Sequence, residues 1–575
     1  MELFTYKRGV LFLFFCTLLS CFFISLYHYY HSSYLIVYWI LCGLLVGLFF
    51  YSESYAIRSA SAWQIAGLTG IYILLLCSWG ITYYLRFAIF PFATLVFLYN
   101  GIALYNQSTK IWRIATIICF VISALSILPI LFYLSEKSLL TRPLLYTIFL
   151  SNKQEIREYL LGKISVLHIL VILVFIFLTV AFFRKRIPAD YVKENKLRFV
   201  KYSYVLAFLL FIFSGPIGEF LSEYSEYKND QNQLKETILN RQKNLKNIDF
   251  KVATTKNSPH KVMIIIGESL NRQYMNIHGY PKNTTPMLKQ IDSGSIDGKL
   301  FTFDNIISPE ATTIPALKKV LTDINNENNI PFEKCVTIVD LFKRAGYNTF
   351  WLSNQVNLRE FDSSNAAVSS SADQNYFTSS KPSIKNNGNH LDSELLPIFD
   401  SYNKQLRTSD KEVFFVHLQG SHWNYSDRYP ANFNVFKSEK TNDINSYLNT
   451  VLFNDYVVSQ LMKKAISDNF DVVCYFSDHG EDMAYQHNPE NYTKNMSTIP
   501  FMVLLSTKYL KDHTEIADAL SKNKHTPAMT DNFFQVIQTL TEIKSTLYDP
   551  SASFISDSYI RKKRKVLDNS ISFDQ

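Results

Sequence analysis

Residues 471–481 read DVVCYFSDHGE, an apolar run rich in β-branched and aromatic residues that stops at Ser477 and gives way to Asp478, His479, Gly480 and Glu481. A short apolar run bounded this way predicts a buried strand, with Cys474 inside it and a carboxylate and an imidazole at its end. Working outward, the pattern recurs. VMIII (262–266) is followed by Gly267, Glu268 and Ser269, and EVFFVHL (412–418) by Gln419, Gly420, Ser421 and His422. TFWLS (349–353) and PFMVLLS (500–506) are further strand candidates, and TIPALKKVLTDI (313–324), TIVDLFKRAG (337–346) and INSYLNTVLFNDYVVSQLMKKAI (444–466) are helical stretches between them. Strands alternating with helices predict an α/β sandwich around a mostly parallel sheet, in which ligands gather at the carboxyl ends of the strands. The Ser- and Asn-rich segment 355–390 reads as a long loop, and no internal repeat is visible.

The N-terminal part has a different character. Runs at 9–27, 34–51, 114–134 and 166–183 are about 18 residues or longer and nearly free of charge, enough to cross a hydrocarbon core of ~30 Å as helices. Residues 64–84, 87–105 and 202–221 supply three more, for an expected seven spans. Lys7 and Arg8 before the first run resemble a signal peptide, but no small-residue cleavage site follows, so the run reads as a retained helix. Basic residues at 7–8, 110–113 and 184–198 fall on one side of such a layout, which makes that side cytoplasmic and sends the residues after 221 outside. The basic loop 135–163 departs from this rule. The expected organisation is a transmembrane domain at 1–221, a linker helix at 222–255, a catalytic domain at 256–555 and a basic tail at 556–575, whose RKKRK (561–565) reads as a solvated or lipid-facing patch. With 48% apolar and 18% charged residues the chain is excluded from the disordered class. The formal charge of +8 suits a protein facing anionic lipid, and no nucleic-acid partner is expected. Of seven cysteines only Cys335 and Cys474 follow the spans, so no disulfide framework is needed.

Parallel strands bring the three strand ends to one edge. Singly, Glu268 reads as a capping acid and His422 as a loop histidine. Together with Asp478, His479 and His487 they form the mixed oxygen and nitrogen set that suits zinc. In SPEATTIPALKKVL (308–321), Thr312 or Thr313 should cap a helix N-terminus. Such an N-terminus favours a phosphate, and a threonine hydroxyl there needs a metal to become a nucleophile.

The motifs IIIGESLNRQYMNIHGYPKNTTPML (264–288), ATTIPALKKVLT (311–322), AGYNTFWLSNQ (345–355), HLQGSHWNYSDRYP (417–430), YFSDHGE (475–481) and STIPFMVLLS (497–506) occur in the order seen in bacterial phosphoethanolamine transferases. The chain resembles these inner-membrane members of the sulfatase and alkaline phosphatase superfamily, and most of all the branch that modifies the lipopolysaccharide core. The resemblance implies a multi-pass α-helical membrane domain followed by an alkaline-phosphatase-like α/β sandwich in the periplasm. It implies that Glu268, the nucleophilic threonine, Asp478 and His479 hold one tightly bound zinc, and that His422 and His487 contact the phosphoryl group or a second zinc. The T-I-x-A-L spacing favours Thr313 as nucleophile, with Thr312 as the alternative. Asn106, Asn152 and Glu155 are expected to hold the donor headgroup, the last two within FLSNKQEIREYL (149–160), which resembles the family's external loop.

The implied reaction moves phosphoethanolamine from phosphatidylethanolamine through a covalent threonine adduct to a lipopolysaccharide acceptor, either lipid A or a core sugar. Two features depart from the pattern. The lipid A branch usually carries several disulfides, which this chain cannot supply, and the family is usually described with five spans. The rival readings are a glycerophosphate transferase or membrane phosphatase on the same scaffold, and a non-catalytic membrane-tethered binding protein.

Overall fold

The computed structural model describes residues 250–574 apart from 329, 356–362, 381–389, 406–408 and 439, residues 194–246 apart from 215, Ile248, and short stretches between 101 and 177. The chain divides into two units, residues 1–147 with 163–228 and residues 148–162 with 229–575. In the first, the described helices are α1 (Lys110–Ala124) and α2 (Glu194–Ser214). The helix α3 (Pro216–Asn244) occupies much of the expected linker. The expected spans at 9–27, 34–51 and 64–84 lie outside the described residues, as do most of 87–105, 125–134 and 166–183. No described helix is long and apolar enough to cross a membrane.

The second unit is built on a seven-stranded sheet: β1 (Lys261–Gly267), β2 (Gly298–Phe303), β3 (Asn348–Ser353), β4 (Gln374–Phe377), β5 (Glu412–His417), β6 (Val472–Ser477) and β7 (Phe501–Ser506), in the order β2-β7-β6-β1-β5-β3-β4. Of these, β1 pairs in parallel with both β5 and β6, β5 with β3, and β3 with β4, while β7 runs antiparallel to β6 and β2. The apolar runs are continuous rather than alternating because both faces are covered. Val262, Ile264 and Ile266 pack into one core, with Leu317, Val320, Ile338 and Phe342. Met263 and Ile265 pack into the other, with Phe399, Tyr447, Val451 and Leu461. The helices that supply these residues are α4 (Thr313–Val320) and α5 (Ile338–Arg344) on the first face, and α6 (Leu395–Asn403) and α7 (Ile444–Ser467) on the second. Cys335 and Cys474 are free and buried.

Two expectations need correction. The 355–390 segment is not one long loop: it contains a helix, Ser364–Ser370, and the edge strand β4. Ser363 caps that helix by accepting from the Ala366 N–H at 3.0 Å. Asp373 anchors β4 by accepting from the Thr349 N–H at 3.0 Å. The stretch after 556 is not wholly a solvated basic tail either. Lys565–Val566 and Ile571–Ser572 pair as a small antiparallel ribbon, and Arg564, alone within RKKRK, is buried. Its guanidinium donates to Asn305 O at 2.9 Å and to Asp574 Oδ1 at 2.6 Å, which offsets the cost of burying the charge. On α4, buried Lys319 pairs with Glu310 and reaches Asp568 Oδ1 at 2.7 Å.

On α3, Arg241 is buried and paired with Asp340, and its Nε donates to Cys335 O at 3.2 Å. Ile238 of the same helix packs with Ile324 and Phe332. The C-terminal part of α3, which belongs to the second unit, is therefore held within that unit by both an apolar contact and a charge pair.

Candidate active site and metal centre

Because β6, β1 and β5 are adjacent and parallel, they leave the sheet at one level: Gly267 lies opposite Ser477, and Ile266 opposite His417. The next residues are Glu268, Asp478 and His479, all fully buried. Ser269 follows with φ of 56°, a left-handed conformation that costs a non-glycine residue about 1–3 kcal/mol unless its surroundings hold it. Its N–H donates to Asp478 Oδ1 at 3.2 Å and its hydroxyl to Glu268 Oε1 at 2.9 Å. The strain is thus used to join the two carboxylates. Gly480 is required for space: a Cβ there would overlap Asn495 O and lie 2.7 Å from Thr498 O. Gly480→Ala is expected to destabilise the domain by about 1–3 kcal/mol, read as a lower thermal unfolding midpoint.

Thr313 is the first residue of α4. Thr312 occupies the capping position in extended conformation but makes no side-chain cap bond. The Thr313 hydroxyl donates to Glu268 Oε2 at 3.1 Å and lies 3.4 Å from His479 Nε2. His479 Nδ1 faces Gly480 O at 2.9 Å, so Nδ1 carries the proton and Nε2 turns inward. There it lies 3.1 Å from Glu268 Oε1 and 3.5 Å from Asp478 Oδ2. Gln355, just past β3, donates to Glu268 Oε2 at 3.3 Å and Leu418 O at 2.8 Å.

The electrostatics are those of two carboxylates crowded away from water. Burial works against the Glu268 charge, yet the hydrogen bond and charge of His479 leave its carboxyl below the usual range. Burial, followed by the Glu268 charge, pushes Asp478 far above it. His479 is lowered by burial but raised more by the two carboxylates, to about 10. Asp478 Oδ2 is buried without a hydrogen-bond partner. A buried carboxylate oxygen with no hydrogen bond, beside a second carboxylate, is expensive unless a cation meets it. Ligand atoms of Glu268, Asp478 and His479 lie within 4.8 Å of one another, and with the Thr313 hydroxyl they form an oxygen-rich set with one imidazole. The residues therefore fit a zinc ion.

His422 and His487 lie beside this cluster, with their rings 5.9 Å apart and the His487 ring 5.0 Å from His479. Burial pushes the His422 imidazole down to about 3, so it is neutral at pH 7, and its Nδ1 has no partner. His487 Nδ1 bonds Glu481 Oε2 at 3.0 Å, and Glu481 Oε1 accepts from the Tyr425 hydroxyl at 2.6 Å. His479, Glu481 and His487 form a second group with metal-ligand geometry. Tyr425→Phe removes a donor from a buried carboxylate that orients His487, and an activity loss of roughly tenfold is expected. In steady-state kinetics it should fall on kcat more than on KM.

The structure brings Glu268, Thr313, Asp478, His479, His422 and His487 together. It leaves Thr312 outside the hydrogen-bonded cluster, and Asn106, Asn152 and Glu155 lie outside the described residues. Gln355, Tyr425 and Glu481 were not singled out from the sequence. Gln355 carries the same signal as Glu268, a polar residue just past an apolar strand, and Glu481 stands within the DHGE motif. Nothing in the sequence marks Tyr425.

Residues 260–543 match the Sulfatase family model. The phosphoethanolamine transferase EptC of Escherichia coli (strain K12) is 26% identical over 501 residues, 79% of this chain and 84% of that protein. The crystal structure of the C-terminal periplasmic domain of that species' EptC, in complex with zinc, is 26% identical with a TM-score of 0.51, covering 57% of this chain and 95% of that one. An integral membrane protein, lipooligosaccharide phosphoethanolamine transferase A from Neisseria meningitidis, shares the fold at 18% identity and a TM-score of 0.54, over 91% of this chain and 98% of that one. With carboxylates and a histidine at the strand ends and a threonine at the start of α4 gathered at one edge of its sheet, this chain is an enzyme with a sulfatase-family domain and phosphoethanolamine transferases for relatives.

Proposed function

We propose that the protein transfers phosphoethanolamine from phosphatidylethanolamine to a lipopolysaccharide-type acceptor, lipid A or a core sugar, through a covalent adduct on Thr313. The observation that carries this reading is the Thr313 hydroxyl at a helix N-terminus, 3.1 Å from Glu268 Oε2 and 3.4 Å from His479 Nε2. Glu268, Asp478, His479 and Thr313 would hold one zinc. When bound, it lowers the hydroxyl pKa and offsets charge on the phosphoryl oxygens.

In the first step Thr313 Oγ bonds to phosphorus and the bond to the diacylglycerol oxygen breaks. Thr313 loses its proton in this step, and the departing oxygen gains one, for which His487 is the candidate donor, while the neutral His422 can steady the phosphoryl charge by a hydrogen bond. In the second step the acceptor oxygen attacks phosphorus, gives up its proton, and the threonine oxygen leaves. The free N–H groups of the first turn of α4 favour the phosphoryl group. Both substrates are lipids, so the reading places the membrane unit in the bacterial inner membrane as a multi-pass domain, with the catalytic domain in the periplasm. The fold shared over 91% of the chain with an integral membrane protein supports that placement.

The test is mass spectrometry of the peptide containing Thr312 and Thr313 after purified full-length protein meets phosphatidylethanolamine, with and without zinc removal. A zinc-dependent phosphoethanolamine adduct on Thr313 is expected. An unmodified peptide from folded, zinc-loaded protein overturns the reading, and a glycerophosphate adduct after incubation with bacterial lipids moves the donor to another phospholipid.

A further inference from the structure

Within the first unit, α1 and α2 border a cavity of about 560 Å³ whose lining includes Trp112, Arg198, Lys201, Tyr202, Val205 and Leu209. The lining residues of α2, with Leu206 among them, stand three, four, seven, eight and eleven positions after Arg198 and so form one stripe of that helix. The order along the stripe is two cations, an aromatic ring, then aliphatic side chains. At 1.5 Å per residue, Arg198 and Leu209 are separated by roughly 16 Å along the axis. The Lys201 ammonium lies over the Trp112 ring, 5.1 Å from its centroid. Among the described residues neither Arg198 nor Lys201 pairs with a carboxylate, while Tyr202, Val205 and Leu209 are well exposed. A groove with two cations at one end and an apolar wall beyond it matches one class of molecule, an anionic amphiphile.

We infer that this groove holds one anionic phospholipid, with its phosphate between Arg198 and Lys201, its glycerol region against Trp112 and Tyr202, and an acyl chain along Val205 and Leu209. Two cations that, among the described residues, have no carboxylate partner favour a headgroup that lacks an ammonium, which separates this lipid from the zwitterionic donor. The inference rests on the membrane placement proposed above.

The experiment titrates detergent-solubilised full-length protein with phosphatidylglycerol or phosphatidylcholine and counts retained lipid by native mass spectrometry. One phosphatidylglycerol is expected to survive where phosphatidylcholine is lost, and the double variant Arg198→Gln with Lys201→Gln should weaken retention by roughly tenfold. Val205→Trp, which fills the groove and leaves both charges, should cause a similar loss and keeps the test decisive if the double variant does not fold. Equal retention of the two lipids, unchanged retention in the variants, or displacement by millimolar glycerol phosphate overturns the inference. Any of these results from protein that still needs detergent for solubility leaves the membrane placement standing; protein that needs none overturns the placement itself.

Discussion

Full-length protein carrying Thr313→Ala is expected to fold and keep Glu268, Asp478 and His479 in place while its transfer rate falls by about ten-thousandfold or more, the scale on which a covalent nucleophile's loss is felt. The substitution removes one hydroxyl, whose hydrogen-bond partners among the described side chains are Glu268 and His479, and alanine is a good residue for the first turn of a helix. Thermal unfolding should therefore move little while phosphoethanolamine release from labelled donor lipid disappears. Thr313→Ser keeps the oxygen and should retain measurable activity. Thr312→Ala should stay within a few-fold of the parent, since the Thr312 side chain makes no capping bond. Residual turnover within tenfold in Thr313→Ala would end the covalent mechanism.

Asp478→Asn separates metal binding from folding. Asp478 Oδ1 accepts from the Ser269 and His479 N–H groups at 3.2 and 2.7 Å, whereas Oδ2 has no hydrogen-bond partner among the described residues. The amide preserves the first set of contacts and deletes the charge that burial and Glu268 oppose. Zinc retention against a competing chelator is expected to fall by about a hundredfold or more, since a direct ligand should count for at least as much as the groups that orient one. The metal-free variant should nonetheless unfold at the same temperature as the metal-free parent or higher, because folding no longer has to protonate a buried carboxyl beside Glu268. Metal analysis after dialysis and calorimetry of both metal-free proteins provide the two readouts. A metal-free variant clearly less stable than its parent would show that the cluster is a structural ion-pair network.

How much of this was legible in advance follows from the range of the interactions. The apolar runs of β1, β5 and β6 are local signals, and parallel topology alone carries Glu268, Asp478 and His479 to one edge, so that part of the site could be read from the order of residues. Gln355, Tyr425 and Glu481 take their places through contacts that pattern does not encode. Tyr425 meets Glu481 across 56 positions, and Gln355 meets Glu268 across 87. The helix and edge strand within 355–390 were hidden for a related reason. Serine-rich sequence reads as loop, and here a side-chain cap at Ser363 and an anchor from Asp373 to Thr349 stabilise structure that propensity does not favour. Arg564 was misread with its basic neighbours because its partners are Asp574 and Asn305, the latter 259 positions away.

The link between Lys319 and Asp568 bears on the order in which the protein is completed during synthesis. The helix that begins with Thr313 keeps a buried ammonium on its inner side, balanced by Glu310 and by a carboxylate 249 positions downstream. The Asp568 N–H returns to the same Glu310 at 3.0 Å, and the Leu567 N–H closes on Pro309 O at 3.0 Å. Until the ribosome has delivered that stretch, the segment before Thr313 lacks its last backbone and charge partners. The last contacts around Thr313 therefore form late, after every strand of the sheet has been translated, and a chain interrupted before Asp568 has the threonine proposed as nucleophile while lacking part of the frame that holds it.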